Sequence, residues 1–291
     1  MINFLHTILK EYEVAEDSFW HAGAFTIWHF FYVFLIASAV AGAIVGLYFA
    51  SKKAKKTTLD VLAILVLCIY LFDLFVRPIA QLEGDLEQSI HSYLDKLPFH
   101  ICTVMAPLCV LAQHSKLFAK IKEPLVILGI VGPLMYITYP SGVFGDRFPF
   151  CYNTIQTMLY HGVLFAWGVL NLTTGETKIS IKKGWYKYGL CIISVSLWAL
   201  LGNMAFSDMS SAKSWADTGY DWFFQKSGAF YIANGELWYS IFAPIAVAIA
   251  VYAVGIAVYG IYHLVYFIAS KIKKAKINKV LEEKQKEEAN V

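Results

Sequence analysis

The chain has 291 residues, 58% of them hydrophobic and only 15% charged, with mean hydropathy +0.55 and net charge +3. A soluble domain carries about 25% charged residues, and apolar runs of roughly 20 residues recur along this chain, which excludes a soluble enzyme. The short alternating segments of an outer-membrane barrel are lacking too.

The composition and pattern predict an all-α membrane protein: a seven-transmembrane helix bundle with the N-terminus outside and the C-terminus inside. Residues 1–21 form an N-terminal segment with an amphipathic look (Ile2, Leu5, Ile8, Leu9) that carries Glu11, Glu13, Glu16 and Asp17. The first apolar run is too long for a signal-peptide core and lacks a basic flank, so no cleavable leader is expected. Span one, about 22–50, holds Thr26 and His29 near its start, and its small residues Ala39, Ala41, Gly42, Ala43 and Gly46 predict a close-packing helix face. Span two, about 59–80, follows a run of lysines and places Asp73 and Arg77 at i,i+4, on one face. The acidic segment Gln81–Lys96 repeats Leu or Ile every four residues and reads as an interfacial helix.

Span three, about 97–113, begins at Leu97 or Pro98 and contains Pro107; span four, about 124–139, contains Gly129, Gly132 and Pro133, a pattern for a kink or partial break. Span five, about 151–172, carries Asn153, Gln156, Thr157 and His161; span six, about 185–206, ends on Asn203. A polar and aromatic loop, Ser207–Gly235, leads to span seven, about 237–270, and a basic, then mixed cytoplasmic tail, 271–291. The loops after spans one, three and five, together with the tail, hold eighteen of the 24 Lys and Arg residues, which places them on the inner side. Residues 22–270 are thus one membrane domain, with no room for a sizeable soluble one.

This topology gives the intramembrane polar residues depths. His29, Asp73 with Arg77, His100, Cys102, Thr103, Gln156, Thr157 and Asn203 all fall in outer halves of spans, and His161 lies near mid-depth. Such residues are expensive in hydrocarbon, and their common side suggests a cavity opening outward. Taken singly, each has a plainer explanation. Asp73 and Arg77 make a structural pair, His29 can bond a neighbouring helix, and Gln156, Thr157 and Asn203 can join helices. Four of the five cysteines (Cys68, Cys109, Cys151, Cys191) read as small buried hydrophobes.

His100, Cys102 and His161 together are harder to explain that way. A thiol or hydroxyl with an imidazole is the minimal equipment for acyl transfer. His100 and Cys102 are two residues apart on a helix and point to different sides, whereas His100 and Thr103 share a face. A base for Cys102 therefore comes from another span, and His161 is the candidate. On straight helices the two differ in depth by one or two turns. Arg77 or Asn203 would hold an oxyanion or a headgroup, with Asp73, Gln156 and His29 completing a substrate-binding set. No metal site, cofactor motif or nucleotide-binding glycine pattern occurs in a usable context.

Leu97-Pro98-x-His100-x-Cys102 resembles the LPxHxC signature of the YwaF-like bacterial integral membrane proteins. Phe25-Thr26 with His29, Phe148-Pro149, and Gln156 with His161-Gly162 are similar to that family in order and spacing. These proteins are similar to a eukaryotic multi-span family that moves polyunsaturated acyl chains between phospholipids. More remotely they resemble the androgen-induced membrane threonine hydrolases. The resemblance implies His161 as catalytic histidine, Cys102 or Thr103 as nucleophile, and membrane lipids as partners; the short loops suit a bacterial plasma membrane. Tyr139-Pro140-Ser141 and Asn234-Gly235-Glu236 depart from the bacterial pattern and bear on substrate selection. The expected function is an acyltransferase or lipid ester hydrolase. A transporter lined by the same residues is the alternative, and a receptor or scaffold binding a lipid in the cavity is a third; no internal repeat favours transport.

Overall fold

The computed structural model describes residues 14–15, 18–23, 25–80, 93–94, 96–138, 148–180, 182–206 and 237–289. Among them the chain forms seven α-helices: α1 (Ile27–Tyr48), α2 (Lys52–Ala80), α3 (Ile101–His114), α4 (Lys122–Thr138), α5 (Tyr152–Thr173), α6 (Gly184–Ala205) and α7 (Leu237–Ala289), with a 3-10 turn (Phe118–Ile121) before α4. Five are long and apolar enough to cross a membrane: α1, α2, α4 with its preceding turn, α6 and α7. The other two are α3, apolar but of 14 residues, and α5, of 22 residues, which carries Asn153, Gln156, Thr157 and His161. The N-terminal segment 1–13, most of the predicted interfacial helix, the Tyr139-Pro140-Ser141 and Asn234-Gly235-Glu236 motifs and the loop after α6 lie outside the described residues.

Helix α4 is the hub. Every residue from Pro124 to Pro133 is buried, as expected of a helix apolar on all sides. It packs against α3, α5, α6 and α7. The predicted break at Gly129, Gly132 and Pro133 does not occur, because α4 runs as one helix to Thr138. The glycines serve packing instead. Trp167 of α5 lies over Gly129, where a Cβ would sit 3.1 Å from the indole, and a Cβ on Gly168 would come within 2.6 Å of the Ile130 side chain. Helices α6 and α7 are joined by hydroxyls: Tyr188 donates to the Val251 carbonyl (3.0 Å) and Tyr259 to the Gly184 carbonyl (3.1 Å).

Three boundaries differ from expectation. Helix α3 starts at Ile101 with His100 as its N-cap, so Leu97 to Phe99 form a turn before it. Helix α2 begins at Lys52, absorbing the lysine run. Helix α7 continues to Ala289, so the tail extends the last helix rather than following it as a separate segment. The close packing expected at Gly42 and Gly46 of α1 is a correction. A Cβ on Gly42 or Gly46 would meet no described atom within 4 Å, so these glycines pack against no other described helix. Helix α1 sits at the periphery, tethered near its start by His29 and Tyr32, and Gly42 and Gly46 face outward.

Gly168→Leu is expected to lower stability by about 1–3 kcal/mol through overpacking at the α4–α5 contact, read by thermal unfolding in detergent. Gly42→Leu, on the open face, is expected to leave the melt within about 0.5 kcal/mol.

Candidate functional site

The turn before α3 is held by carbonyl clamps from three helices. Tyr70 of α2 donates to the Lys96 carbonyl (2.9 Å), the Trp198 indole of α6 to the Pro98 carbonyl (2.7 Å), and Tyr160 of α5 to the Cys102 carbonyl (2.6 Å). Phe99 stacks on Trp198 with centroids 5.0 Å apart and lies over Gly202, where no side chain would fit. Irregular backbone at membrane depth requires such donors.

Thr103 is the third residue of α3, and its hydroxyl closes the cap. It accepts the His100 N–H (3.1 Å) and can donate to the carbonyl of His100 (3.1 Å) or Leu97 (3.3 Å). This is the backward-reaching half of a capping box, supplied by Thr instead of Glu or Gln. Cys102 is the second residue of the same helix, in the turn whose N–H groups have no partner within the helix and whose dipole favours negative charge. Its Sγ points at α4, 3.3 Å from the position a Cβ on Gly132 would take. Gly132 makes the room that the thiol occupies.

His161 reaches the same strip of α4 from α5. Its ring stacks on Tyr136, with centroids 3.9 Å apart and planes 11° off parallel, and Tyr160 meets it edge-on at 5.3 Å. Nδ1 lies 2.8 Å from the Thr157 carbonyl. A carbonyl only accepts, so Nδ1 carries the proton and Nε2 keeps its lone pair. Gly132 and Tyr136 are one turn, about 6 Å, apart along α4, so the Cys102 thiol and the His161 ring meet neighbouring turns of that helix. His100 and Lys96 also lie within electrostatic reach of His161. The link between the thiol and the imidazole, at different depths on straight helices, is α4, which receives them at Gly132 and Tyr136.

The other predicted residues take separate places. His29 is buried and both ring nitrogens are used: Nε2–H donates to the Ile137 carbonyl (2.7 Å) and Nδ1 accepts the Phe25 N–H (3.1 Å). That bond holds Phe25 at φ 64, a conformation rare outside glycine. The Phe25-Thr26 and His29 pattern is therefore an anchor tying α1 to the end of α4. Asp73 is buried and accepts the Tyr152 hydroxyl at 3.2 Å, linking α2 to α5. Thr157 donates to Gln156 Oε1 at 3.1 Å, and Asn203 is buried beside Gly202. The side chain of Arg77 lies outside the described residues. Among the described residues no group of three or more His, Cys, Asp or Glu could hold a metal ion.

Tyr136 and Tyr160 are site residues not singled out from the sequence. The signal for Tyr160 was its place beside His161 in the middle of a span, where a hydroxyl must find a partner. Tyr136 carries no comparable signal.

The chain belongs to the TMEM164 family, whose family model matches residues 24–254. With its apolar helices, this makes it an integral membrane protein. No curated protein and no solved structure matches it.

Thr103→Val removes the cap acceptor and is expected to lower stability by about 1 kcal/mol, while Thr103→Ser keeps it. Thermal unfolding of the two variants in detergent checks this; equal melts would refute the capping role.

Proposed function

We propose that this TMEM164-family protein is a membrane-embedded acyltransferase, or lipid ester hydrolase, acting on phospholipid or fatty-acid esters with Cys102 as nucleophile and His161 as base. The observation that carries the reading is the convergence of the Cys102 thiol and the His161 ring on one strip of α4, with His161 held in the tautomer that leaves Nε2 basic. In this reading the bundle has seven spans, the N-terminus outside and the site open to the outer leaflet of a bacterial plasma membrane.

The chemistry follows from the groups present. His161 Nε2 takes the thiol proton as Cys102 Sγ attacks the ester carbonyl, forming a C–S bond and moving the C=O π electrons onto oxygen. The positive end of the α3 dipole, at its first turn, favours that developing charge. Collapse restores the carbonyl and breaks the C–O bond, and the leaving alkoxide takes the proton back from His161. An acceptor hydroxyl, or water, then loses its proton to His161 and attacks the thioester; the C–S bond breaks and the departing Cys102 thiolate takes that proton back. Tyr160 acts through the Cys102 backbone and is a positioning residue.

Thr103 is the less suitable nucleophile because its hydroxyl is engaged in the cap, where it both accepts and donates. The Cys102 side chain has no such duty in the helix start.

In proteoliposomes with mixed phospholipids, Cys102→Ala is expected to reduce acyl exchange to background and His161→Ala to lower it by about 100- to 10,000-fold. Tyr160→Phe is expected to lower it by about tenfold, consistent with loss of one hydrogen bond at the reacting residue. Full exchange in both Cys102→Ala and His161→Ala would remove the mechanism, and solute uptake that survives both substitutions would favour transport.

A further inference from the structure

A concavity facing the membrane lies apart from the polar site. It is a groove of about 340 Å³ between α1, α2 and α5, within the usual range for small-molecule sites, about 300–1,000 Å³. Apart from Tyr32, its lining is aliphatic, thioether or glycine, and the Tyr32 hydroxyl is turned away to the Pro149 carbonyl at 2.7 Å. Along α5 the lining runs from Ile155 to Leu170, about 22 Å at 1.5 Å per residue. That exceeds the depth of one leaflet, half of a hydrocarbon core about 30 Å thick.

The groove adjoins the site. Tyr32, Ile36 and Met158 line it and also pack with Tyr136 in one small hydrophobic cluster. Tyr136 is the ring stacked on His161. One layer of side chains thus separates the groove from the imidazole, and Gly162, the next residue after His161, is part of the groove wall. The small residues Ala39 and Ala43 of α1 and Ala166 of α5 keep the groove open below that level. A flat helix face would serve ordinary solvating lipid equally well; a concave, wholly apolar trough one side-chain layer from a base does more.

We propose that this groove binds the acyl chain of the lipid substrate and that Ala39, Ala43 and Ala166 set the chain length it accepts. This rests on the acyl chemistry proposed above. The chain lies along α1 and α5 with its ester end turned toward Tyr136 and His161, and its methyl end toward Leu170. A larger side chain at Ala43 or Ala166 shortens the trough without touching Cys102, His161 or the lead-in to α3.

The test has a binding arm and a turnover arm. In nanodiscs containing a phospholipid with a photoreactive diazirine near the end of its acyl chain, label is expected on α1 and α5 peptides bearing Ala39 and Ala166. It should persist in Cys102→Ala and drop in Ala43→Phe. Label spread evenly over the lipid-facing helices would overturn the proposal. In proteoliposomes, the ratio of palmitoyl to octanoyl transfer is expected to fall about tenfold or more in Ala43→Phe, as for a filled apolar pocket. Ala166→Leu, from the opposite wall, should shift it the same way. An unchanged ratio in both folded variants would also overturn it. Groove-specific label with no acyl transfer by the unmodified protein would leave the groove assigned and defeat the enzymatic reading alone.

Discussion

Backbone polar groups have nowhere to go in hydrocarbon, and the lead-in to α3 is where this chain meets that constraint. The four residues before Ile101 are not helical, yet they sit among spanning segments. Their carbonyls at Lys96 and Pro98, and that of Cys102 just inside the helix, receive a Tyr, a Trp and a Tyr from three different helices. Each bond is individually modest, but a buried carbonyl left unpaired costs about 1–3 kcal/mol. The start of α3 is therefore fixed relative to α2, α5 and α6 together. Fixing it aims the Cys102 thiol at the gap that Gly132 leaves in α4.

The hub helix has a corresponding role. Helix α4 has no charged group beyond its first turn, and its sequence looks like filler. Its contribution is shape: Gly129 admits Trp167, Gly132 admits Cys102, and Tyr136 offers a ring to His161. Two of these glycines suggested a break when read as sequence. In the folded chain they are points of close approach, which the same lack of a Cβ explains as well. His29 belongs to the same logic, since its bond to the Ile137 carbonyl satisfies the last turn of α4 and pins α1 beside it.

Much of the fold was legible because apolar runs and the period of a helix are local properties. The positions of the seven helices follow from them, and so does the unusual density of polar groups in Cys102, Thr103 and His161. What was not legible depends on which helices become neighbours. The choice between Cys102 and Thr103 stays open in the sequence, since both stand in the same turn; the capping bonds of Thr103 appear only once α3 is seen to begin at Ile101. The same holds for the small residues of α1. Their spacing suits helix packing, and only the arrangement of α1, α2 and α5 turns Ala39 and Ala43 into the floor of a groove. Tyr136 and Tyr160 are two among 18 tyrosines, and composition alone gives no means to single them out.

The central claim is that the thiol of Cys102, which meets the same strip of α4 as His161, becomes acylated. The direct measurement is mass spectrometry of the protein after incubation with a phospholipid donor and no acceptor. The account predicts an acyl adduct on Cys102 that neutral hydroxylamine removes, absent in Cys102→Ala and present in Thr103→Ser. A hydroxylamine-resistant adduct on Thr103, or an adduct on Cys102 that forms equally well in His161→Ala, would contradict it.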